Sequence, residues 1–191
     1  APQYQNTTPQ FNGNISWLMY AIQNVKFNGT QLCGWTYSYD GANRLTKADF
    51  GYYTNAWLQS NAYDLPAISY DPNGNILSLN RLSYSGIRLD NLSYTYQVNT
   101  NRLTSVFNQV NNRKQTYTYT YDSNGNMTSD SYRGLSIILY NTQNLPEQIT
   151  KSNGNIVRYW YDANGNRLRK QEQASNGSIL MDETYVLGID G

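Results

Sequence analysis

The sequence predicts an all-β protein, an array of antiparallel β-hairpins that forms a curved ribbon. Alternation in TYTYTYD (Thr116–Asp122) places tyrosines on one face and threonines on the other, which is typical of a strand. A turn motif recurs as YDPNGN, YDSNGN and YDANGN, beginning at Tyr70, Tyr121 and Tyr161. The excess of 19 Tyr over 4 Phe favours half-buried strands, because the ring of Tyr can be buried while its hydroxyl contacts water.

The predicted repeating element is strand, turn, strand. TYSYD (Thr36–Asp40), SYTY (Ser93–Tyr96) and RYWYD (Arg158–Asp162) repeat the alternation before a turn. The turn-side tyrosine marks the hairpin units at irregular steps: Tyr39, Tyr70, Tyr96, Tyr121, Tyr140 and Tyr161. Asn-Gly pairs interrupt any helical periodicity, so the one helical turn that we expect is short and lies near Asn55–Asn61.

The repeated motif fits a three-residue loop, a type I turn followed by a left-handed residue in a G1 bulge. Asp at the first position caps backbone N–H groups, and the last loop residue needs a positive φ, which suits Gly best and Asn next. The predicted structural turn residues are Asp40, Asn43, Asp71, Gly74, Asp122, Gly125, Asp162 and Gly165.

The loop length also predicts the strand register. A three-residue loop places the turn-side tyrosine opposite an aliphatic residue, which is a favourable cross-strand pair. The predicted pairs are Tyr39 with Leu45, Tyr70 with Ile76, and Tyr121 with Met127. A two-residue Asn-Gly loop would instead set Asp122 opposite Met127, which is a poorer match.

The functional alternative for this motif is a calcium loop, because Asp-x-Asn-Gly-Asn offers oxygen ligands. An EF-hand needs Gly at the sixth loop position and a bidentate acid at the twelfth. Here Gly is fourth, and the twelfth residues are Leu82, Arg133 and Gln173. One carboxylate per loop is too little charge for calcium, so we expect a structural turn and no bound metal.

Composition excludes several functions. The formal charge of +1 with 14% charged residues gives no basic field, so we expect no nucleic-acid partner. The chain has no His, which removes imidazole-based catalysis and ordinary zinc sites. No apolar run is long enough for a membrane span, and the single Cys33 is expected to be a small buried hydrophobe. We assign no catalytic, cofactor-binding or metal-ligating residue and expect no cofactor.

Two functional alternatives stay open at this point. The four tryptophans could stack on sugars, although tryptophan in a strand-rich protein more often packs; they are Trp17, Trp35, Trp57 and Trp160. A glycan-cleaving enzyme would need two carboxylates about 5 to 10 Å apart in one cleft. Asp182 and Glu183 are a poor pair for that chemistry, because adjacent strand residues point to opposite faces. We expect a protein that is not an enzyme.

The recurring stretches YDGANRLT, YDPNGNIL, YDSNGNMT and YDANGNRLR resemble the YD repeats of RHS-type proteins. PQFNGNIS and NLPEQI resemble the versions found in Bacteroidetes RHS proteins. The resemblance implies a β-sheet ribbon that spirals into a hollow shell, with bacterial polymorphic toxins, insecticidal toxin complexes and teneurins as relatives. It also implies that residues 1–191 are a single YD-repeat region of about six hairpin units, from Asn12 to Tyr185, in a larger shell. The C-terminal core and effector of the toxin relatives are not matched, so no self-cleavage residue is transferred.

The function implied by the resemblance is that of a structural segment of an exported shell, which encloses or presents a C-terminal effector or mediates cell-surface interaction. The alternative is a carbohydrate-binding or cell-surface adhesion module. Expected partners are the remainder of its own shell or an effector domain; a secretion-system or cell-surface protein and a glycan are further candidates. We expect a bacterial protein that is secreted or on the cell surface. Neither end resembles a cap, so both edge strands are expected to meet further chain or a partner.

Overall fold

The structure, a computed structural model, describes residues 9–24, 29–53, 55–186 and 188. Within these residues the regular structure is β-strand and no helix occurs, so the predicted all-β fold is confirmed. The strands are β1 (Trp17–Asn24), β2 (Gly29–Tyr39), β3 (Leu45–Tyr53), β4 (Trp57–Leu65), β5 (Ala67–Tyr70), β6 (Ile76–Leu82), β7 (Arg88–Tyr96), β8 (Leu103–Val110), β9 (Arg113–Tyr121), β10 (Met127–Asp130), β11 (Leu135–Tyr140), β12 (Pro146–Lys151), β13 (Ile156–Tyr161), β14 (Arg167–Gln173) and β15 (Ile179–Thr184). No stretch of this described part is a helix able to cross a membrane.

The strands fall into two compact units. The first contains Ala1–Arg102 and Val106–Thr116, and the second contains Leu103–Ser105 and Tyr117–Gly191, so the division runs within β8 and β9. In the first unit β1 to β4 form an antiparallel sheet in chain order, and β5, β6 and β7 also pair antiparallel in that order. In the second unit β9 to β15 pair antiparallel in chain order. Each unit is therefore a series of hairpins.

The register at the turns is the one that a three-residue loop predicts. Each turn-side tyrosine lies opposite an aliphatic residue, and the register shifts beside it, as a bulge requires. The observed pairs are Tyr39 with Leu45, Tyr70 with Ile76, and Tyr121 with Met127. The extra loop residue is thus absorbed where the strand leaves the turn.

The hydrophobic core is small. Among the described residues the buried apolar side chains are Cys33, Ala48, Phe50, Val106, Ile138 and Val157. In the first unit Phe50 contacts Trp35 at a ring-centroid distance of 5.2 Å and Tyr63 at 5.4 Å. Cys33 is buried as predicted, and burial raises the pKa of its thiol. With so few buried side chains, strand pairing and polar contacts hold much of the fold.

The predicted helical turn at Asn55–Asn61 is wrong, because β4 begins at Trp57. The Trp57 ring lies close to Gly51 of β3, where an added Cβ would be 2.4 Å from its Cζ2 atom. This packing needs an extended backbone at Trp57 and a partner without a side chain. A contact across the sheet has therefore overridden the local sequence preference.

Candidate functional site

The four predicted Asp turns share one backbone geometry. The N–H of each Asp donates to the carbonyl of the residue four positions later at 2.9 Å, and the last loop residue donates back to the Asp carbonyl at 3.0 or 3.1 Å. The last loop residues have positive φ angles: Asn43 63°, Gly74 91°, Gly125 90° and Gly165 85°. We call these loops the YD turns; they begin at Asp40, Asp71, Asp122 and Asp162.

The carboxylates of the YD turns accept hydrogen bonds on both oxygens from donors of their own loop. Asp162 Oδ1 accepts the backbone N–H groups of Asn164 at 2.8 Å and Asn166 at 2.9 Å, and its Oδ2 accepts Asn166 Nδ2 at 2.9 Å. The Asn side-chain amide, followed by the backbone N–H, lowers the pKa of Asp162. The pKa values of Asp71 and Asp122 are lowered in the same way, chiefly by the amides of the Asn residues four positions later.

Asp40 has a different cap because Arg44 stands in place of the final Asn. The backbone N–H of Arg44 donates to Asp40 Oδ1 at 2.9 Å and its Nε donates to Oδ2 at 2.7 Å. The backbone hydrogen bond from Arg44 is the largest cause of the lowered pKa of Asp40. Arg44 Nη1 also donates to the carbonyl of Asp71, in the next YD turn, at 2.8 Å.

The turn-side tyrosines make a contact that the sequence analysis did not predict. Each hydroxyl donates to a backbone carbonyl just after the preceding turn or, for Tyr39, in the segment before β1, at 2.8 to 3.0 Å. The pairs are Tyr39 with Ile15, Tyr70 with Leu45, Tyr96 with Ile76, Tyr121 with Leu103, Tyr140 with Met127, and Tyr161 with Pro146. Within each unit, each hairpin is thereby bonded to the backbone of the one before it.

The excess of Tyr over Phe is the sequence signal that could have indicated these bonds. Phenylalanine would fill the same volume and pair equally well across the hairpin, but it has no hydroxyl. The acceptor is a main-chain carbonyl, which no residue identity reveals. Burial of the rings raises the pKa of Tyr96 and of Tyr140, so both hydroxyls keep the proton that they donate.

Side-chain amides add ties between successive turns inside each unit. In the first unit Asn75 Nδ2 donates to Asn101 Oδ1 at 2.9 Å. In the second unit Asn144 Oδ1 accepts Asn124 Nδ2 at 3.0 Å and Asn126 Nδ2 at 2.9 Å. These bonds and the tyrosine hydroxyls join neighbouring hairpins at the same strand ends.

The turns at the other strand ends repeat the backbone pattern with neutral caps. We call them the distal turns: Ser83–Ile87, Lys151–Asn155 and Ala174–Ser178. In Lys151–Asn155 the first N–H donates to the last carbonyl at 2.8 Å, and Gly154 N–H donates back to the Lys151 carbonyl at 2.9 Å. Here Asn153 Oδ1 takes the place of the Asp carboxylate and accepts the Asn155 N–H at 3.0 Å.

Several carboxylates outside the YD turns are also engaged. Asp130 is buried and binds the backbone N–H and the guanidinium of Arg133. Arg169 and Gln171 hold Asp182 and lower its pKa to about 2. Asp64, which accepts the Phe50 N–H at 2.6 Å, has a pKa raised by burial. In the described part of the chain no three Cys, Asp or Glu residues cluster as metal ligands.

One cavity of about 440 Å³ lies in the first unit and is lined mainly by aromatic and aliphatic side chains. Its lining residues are Trp35, Tyr37, Ala48, Tyr63, Leu65, Arg81, Leu82 and Leu89. Tyr63 has a φ of 61°, in the left-handed region, and the residue is 53% exposed. Arg81 Nε is bound to Asp90 Oδ2 at 2.7 Å. The cavity therefore presents aromatic faces beside an ion pair.

Comparison with known proteins gives one family and one fold. The family model described as teneurin YD-shell matches residues 12–180. No curated protein matches the sequence. The crystal structure of TcdB2-TccC3-Cdc42 matches with a TM-score of 0.58 at 15% identity over 81% of this chain. This chain spans only 8% of the length of that one, so the likeness concerns the fold alone.

A second solved structure, a Photorhabdus luminescens Tc holotoxin pore, is 18% identical over 81% of this chain and 8% of its own. Its TM-score of 0.34 is too low to support a conclusion.

Proposed function

Since the chain belongs to the teneurin YD-shell family, we propose that it is a wall segment of an exported shell that encloses or presents an effector segment. The chain is an RHS/YD-repeat structural segment with an all-β fold. Enclosure and export are the further parts of this proposal. Membership of the family supports both, and the bonds between successive hairpins support a continuous wall.

The observation that carries the proposal is the series of tyrosine hydroxyl bonds. Each joins one hairpin to the preceding backbone at 2.8 to 3.0 Å, whereas an isolated hairpin is marginally stable in water. A neutral hydrogen bond contributes about 1 kcal/mol, and the contribution recurs with each repeat. Such serial joining suits a wall that gains stability as hairpins are added.

The exposed edge of the second unit supports a role in assembly. Strand β15 (Ile179–Thr184) is exposed along its whole length and pairs with β14 on one side. A strand edge carries N–H and C=O groups that can pair with a further strand. We propose that this edge meets another part of the shell, or a secretion-system or cell-surface partner.

We further propose that the segment acts without catalysis. The YD-turn carboxylates accept hydrogen bonds within their own loops, and Asp130 and Asp182 are bound to arginines. A general acid or base must be able to exchange a proton with a substrate. These carboxylates instead have their oxygens occupied by the fold.

Limited proteolysis of the natural gene product tests enclosure. The coding region around this chain would be expressed intact, and protected fragments would be identified by mass spectrometry. We expect a segment outside residues 1–191 to resist digestion in the intact protein and to be digested faster in a Tyr121→Phe, Tyr140→Phe double variant, in which two ties are removed. If every flanking segment were digested at the same rate in both proteins, enclosure would be wrong.

The aromatic cavity of the first unit favours a second candidate function, carbohydrate binding. Flat rings beside a charged hydrogen-bonding pair suit the apolar face and the hydroxyls of a neutral sugar. Tyr63 holds its ring there at a φ of 61°, and unusual backbone geometry of this kind often occurs at binding sites. Asn tolerates that backbone, so Tyr63→Asn removes the ring and keeps the left-handed residue of β4.

A glycan array separates this candidate from a purely structural role. Binding that is lost in Tyr63→Asn but kept in Trp160→Ala, which removes an exposed ring of the second unit, would support the cavity as a sugar site. Absence of binding by the wild-type protein, or equal loss in both variants, would exclude it.

A further inference from the structure

The Asn-Gly pairs carry a chemistry that the structural role does not use. In such a pair the Gly nitrogen can attack the Asn side-chain carbonyl carbon, because glycine has no Cβ to hinder the approach. A bond forms between the Gly nitrogen and Asn Cγ, and the side-chain nitrogen leaves as ammonia with the proton of the Gly N–H. Water then opens the cyclic imide at either carbonyl, which gives aspartate or isoaspartate. No oxidant or reductant is needed.

Three of these pairs lie in YD turns of the same backbone geometry. The Gly N–H donates to the carbonyl of the first Asp at 3.1 Å in all three turns. The φ angles are 91° at Gly74, 90° at Gly125 and 85° at Gly165. The attacking nitrogen is therefore restrained equally, and any difference in rate must come from the Asn side chain.

The three Asn side chains are held differently. The Asn124 amide donates to Asn144 Oδ1 at 3.0 Å. Asn73 and Asn164 are exposed, and within the described residues their side-chain amides make no hydrogen bond. In the distal turns, Asn153 and Asn176 accept hydrogen bonds from residues two positions later. Asn73 and Asn164 are thus the freest of the turn amides to rotate toward the Gly nitrogen.

We propose that Asn73 and Asn164 are sites of spontaneous deamidation in the folded protein, and that Asn144 protects Asn124. Reaction at Asn124 first requires the bond to Asn144 to break. A neutral hydrogen bond is worth about 1 kcal/mol. Since about 1.36 kcal/mol in the activation free energy changes a rate tenfold, the rate at Asn124 should be about fivefold lower.

The modification also breaks the turn in which it occurs. Ring closure removes the Gly N–H that bonds to the Asp carbonyl at 3.1 Å. Isoaspartate lengthens the three-residue loop by one backbone carbon, and either product adds a negative charge close to Asp71 or Asp162. Both changes disfavour the G1 bulge geometry, since it depends on loop length.

Peptide mapping after incubation tests the proposal. The folded protein would be kept in mildly alkaline ¹⁸O-labelled water, and label incorporated at each Asn-Gly site would be followed by mass spectrometry. We expect Asn73 and Asn164 to react about fivefold faster than Asn124, for the reason given above. In chemically denatured protein the three sites should react at similar rates. Equal rates in the folded protein, or the same ranking in the denatured chain, would overturn the proposal.

The variant Asn144→Gly provides the matched test. Asn144 has a φ of 59°, which Gly adopts readily, so the change deletes the amide and spares the backbone. Deamidation at Asn124 should rise to the rate of Asn73 in the same molecule, while the rate at Asn73 stays unchanged. An unchanged rate at Asn124, with the fold verified by circular dichroism, would contradict protection by Asn144.

Discussion

The YD turns and the distal turns have the same backbone but are held in different ways. In both sets the first N–H and the last carbonyl close the loop, and a residue of positive φ ends it. The YD turns add charged Asp caps and lie beside the tyrosine hydroxyl bonds. The distal turn Lys151–Asn155 has a neutral cap, and its Gly154 packs closely against Ser175.

The same turn type therefore occurs in two packing environments, one with open space around its glycine and one with a close neighbour. An added Cβ at Gly74 would meet nothing within 4 Å, whereas at Gly154 it would lie 2.9 Å from the Cβ of Ser175. At Gly74 the requirement for glycine comes from φ alone. At Gly154 it comes from φ and from the close approach of Ser175 in the next distal turn.

The largest expected effect is therefore at a distal glycine. Gly154→Ala should lower the free energy of unfolding by about 2 to 4 kcal/mol, because left-handed strain of about 1 kcal/mol adds to overpacking of about 1 to 3 kcal/mol. The matched variant Gly74→Ala carries the strain alone and should cost about 1 kcal/mol. Urea denaturation of both variants measures the difference. Equal losses would mean that the contact with Ser175 relaxes without cost.

Removal of one tyrosine hydroxyl should have the next largest effect. The Tyr161 hydroxyl donates to the Pro146 carbonyl at 2.9 Å. Tyr161→Phe keeps the ring but removes this donor. The loss should be about 1 kcal/mol. Tyr132→Phe is the control, because Tyr132 is 65% exposed and substitutions of exposed residues usually change stability by no more than about 0.5 kcal/mol. A loss at Tyr132→Phe as large as at Tyr161→Phe would show that the bond to Pro146 is not the cause.

The sequence predicted the parts of this arrangement that local chemistry determines. Residues such as Gly125 and Asn43 indicate a positive φ by themselves, and alternation around Tyr121 fixes which face it occupies. The carbonyl partner of the Tyr121 hydroxyl belongs to the preceding hairpin, and no residue type specifies a backbone acceptor. Strand β4, which begins at Trp57 where a helical turn was expected, brings that ring close to Gly51 of the paired strand, a contact between strands that the local sequence does not specify.

Acid should weaken the YD turns through their Asp caps, because the distal turn Lys151–Asn155 is capped by the neutral Asn153. Hydrogen-bond donors in the folded loop lower the pKa of Asp122. The ionised carboxylate therefore stabilises the fold at pH values above the ordinary Asp pKa of 3.8. That contribution is lost as pH falls through the lower folded value. The stability difference between wild type and Asp122→Asn should therefore be present at about pH 7 and fade toward about pH 2.

The converse variant sharpens the comparison between the two kinds of turn. Asn153→Asp would place a carboxylate where the Asn155 N–H now donates at 3.0 Å. The new carboxylate should stabilise the variant relative to wild type at neutral pH, and this stabilisation should be lost as pH falls, as it is for Asp122. Urea midpoints measured over the same pH range test this. A difference between wild type and Asp122→Asn that did not change with pH would mean that the charge of the cap is unimportant.

The smallest expected effect is that of calcium removal, for which we predict no change. The carboxylate oxygens that a calcium ion would need already accept hydrogen bonds; in Asp162 both oxygens do so, at 2.8 to 2.9 Å. Calcium prefers six to eight oxygen ligands, and binding would have to displace these donors. EDTA should shift the thermal midpoint by less than about 1 °C, since 1 kcal/mol corresponds to about 2 to 4 °C in a chain of this size. A larger fall, reversed by added calcium and absent in Asp162→Asn, would show that the YD turns hold a metal.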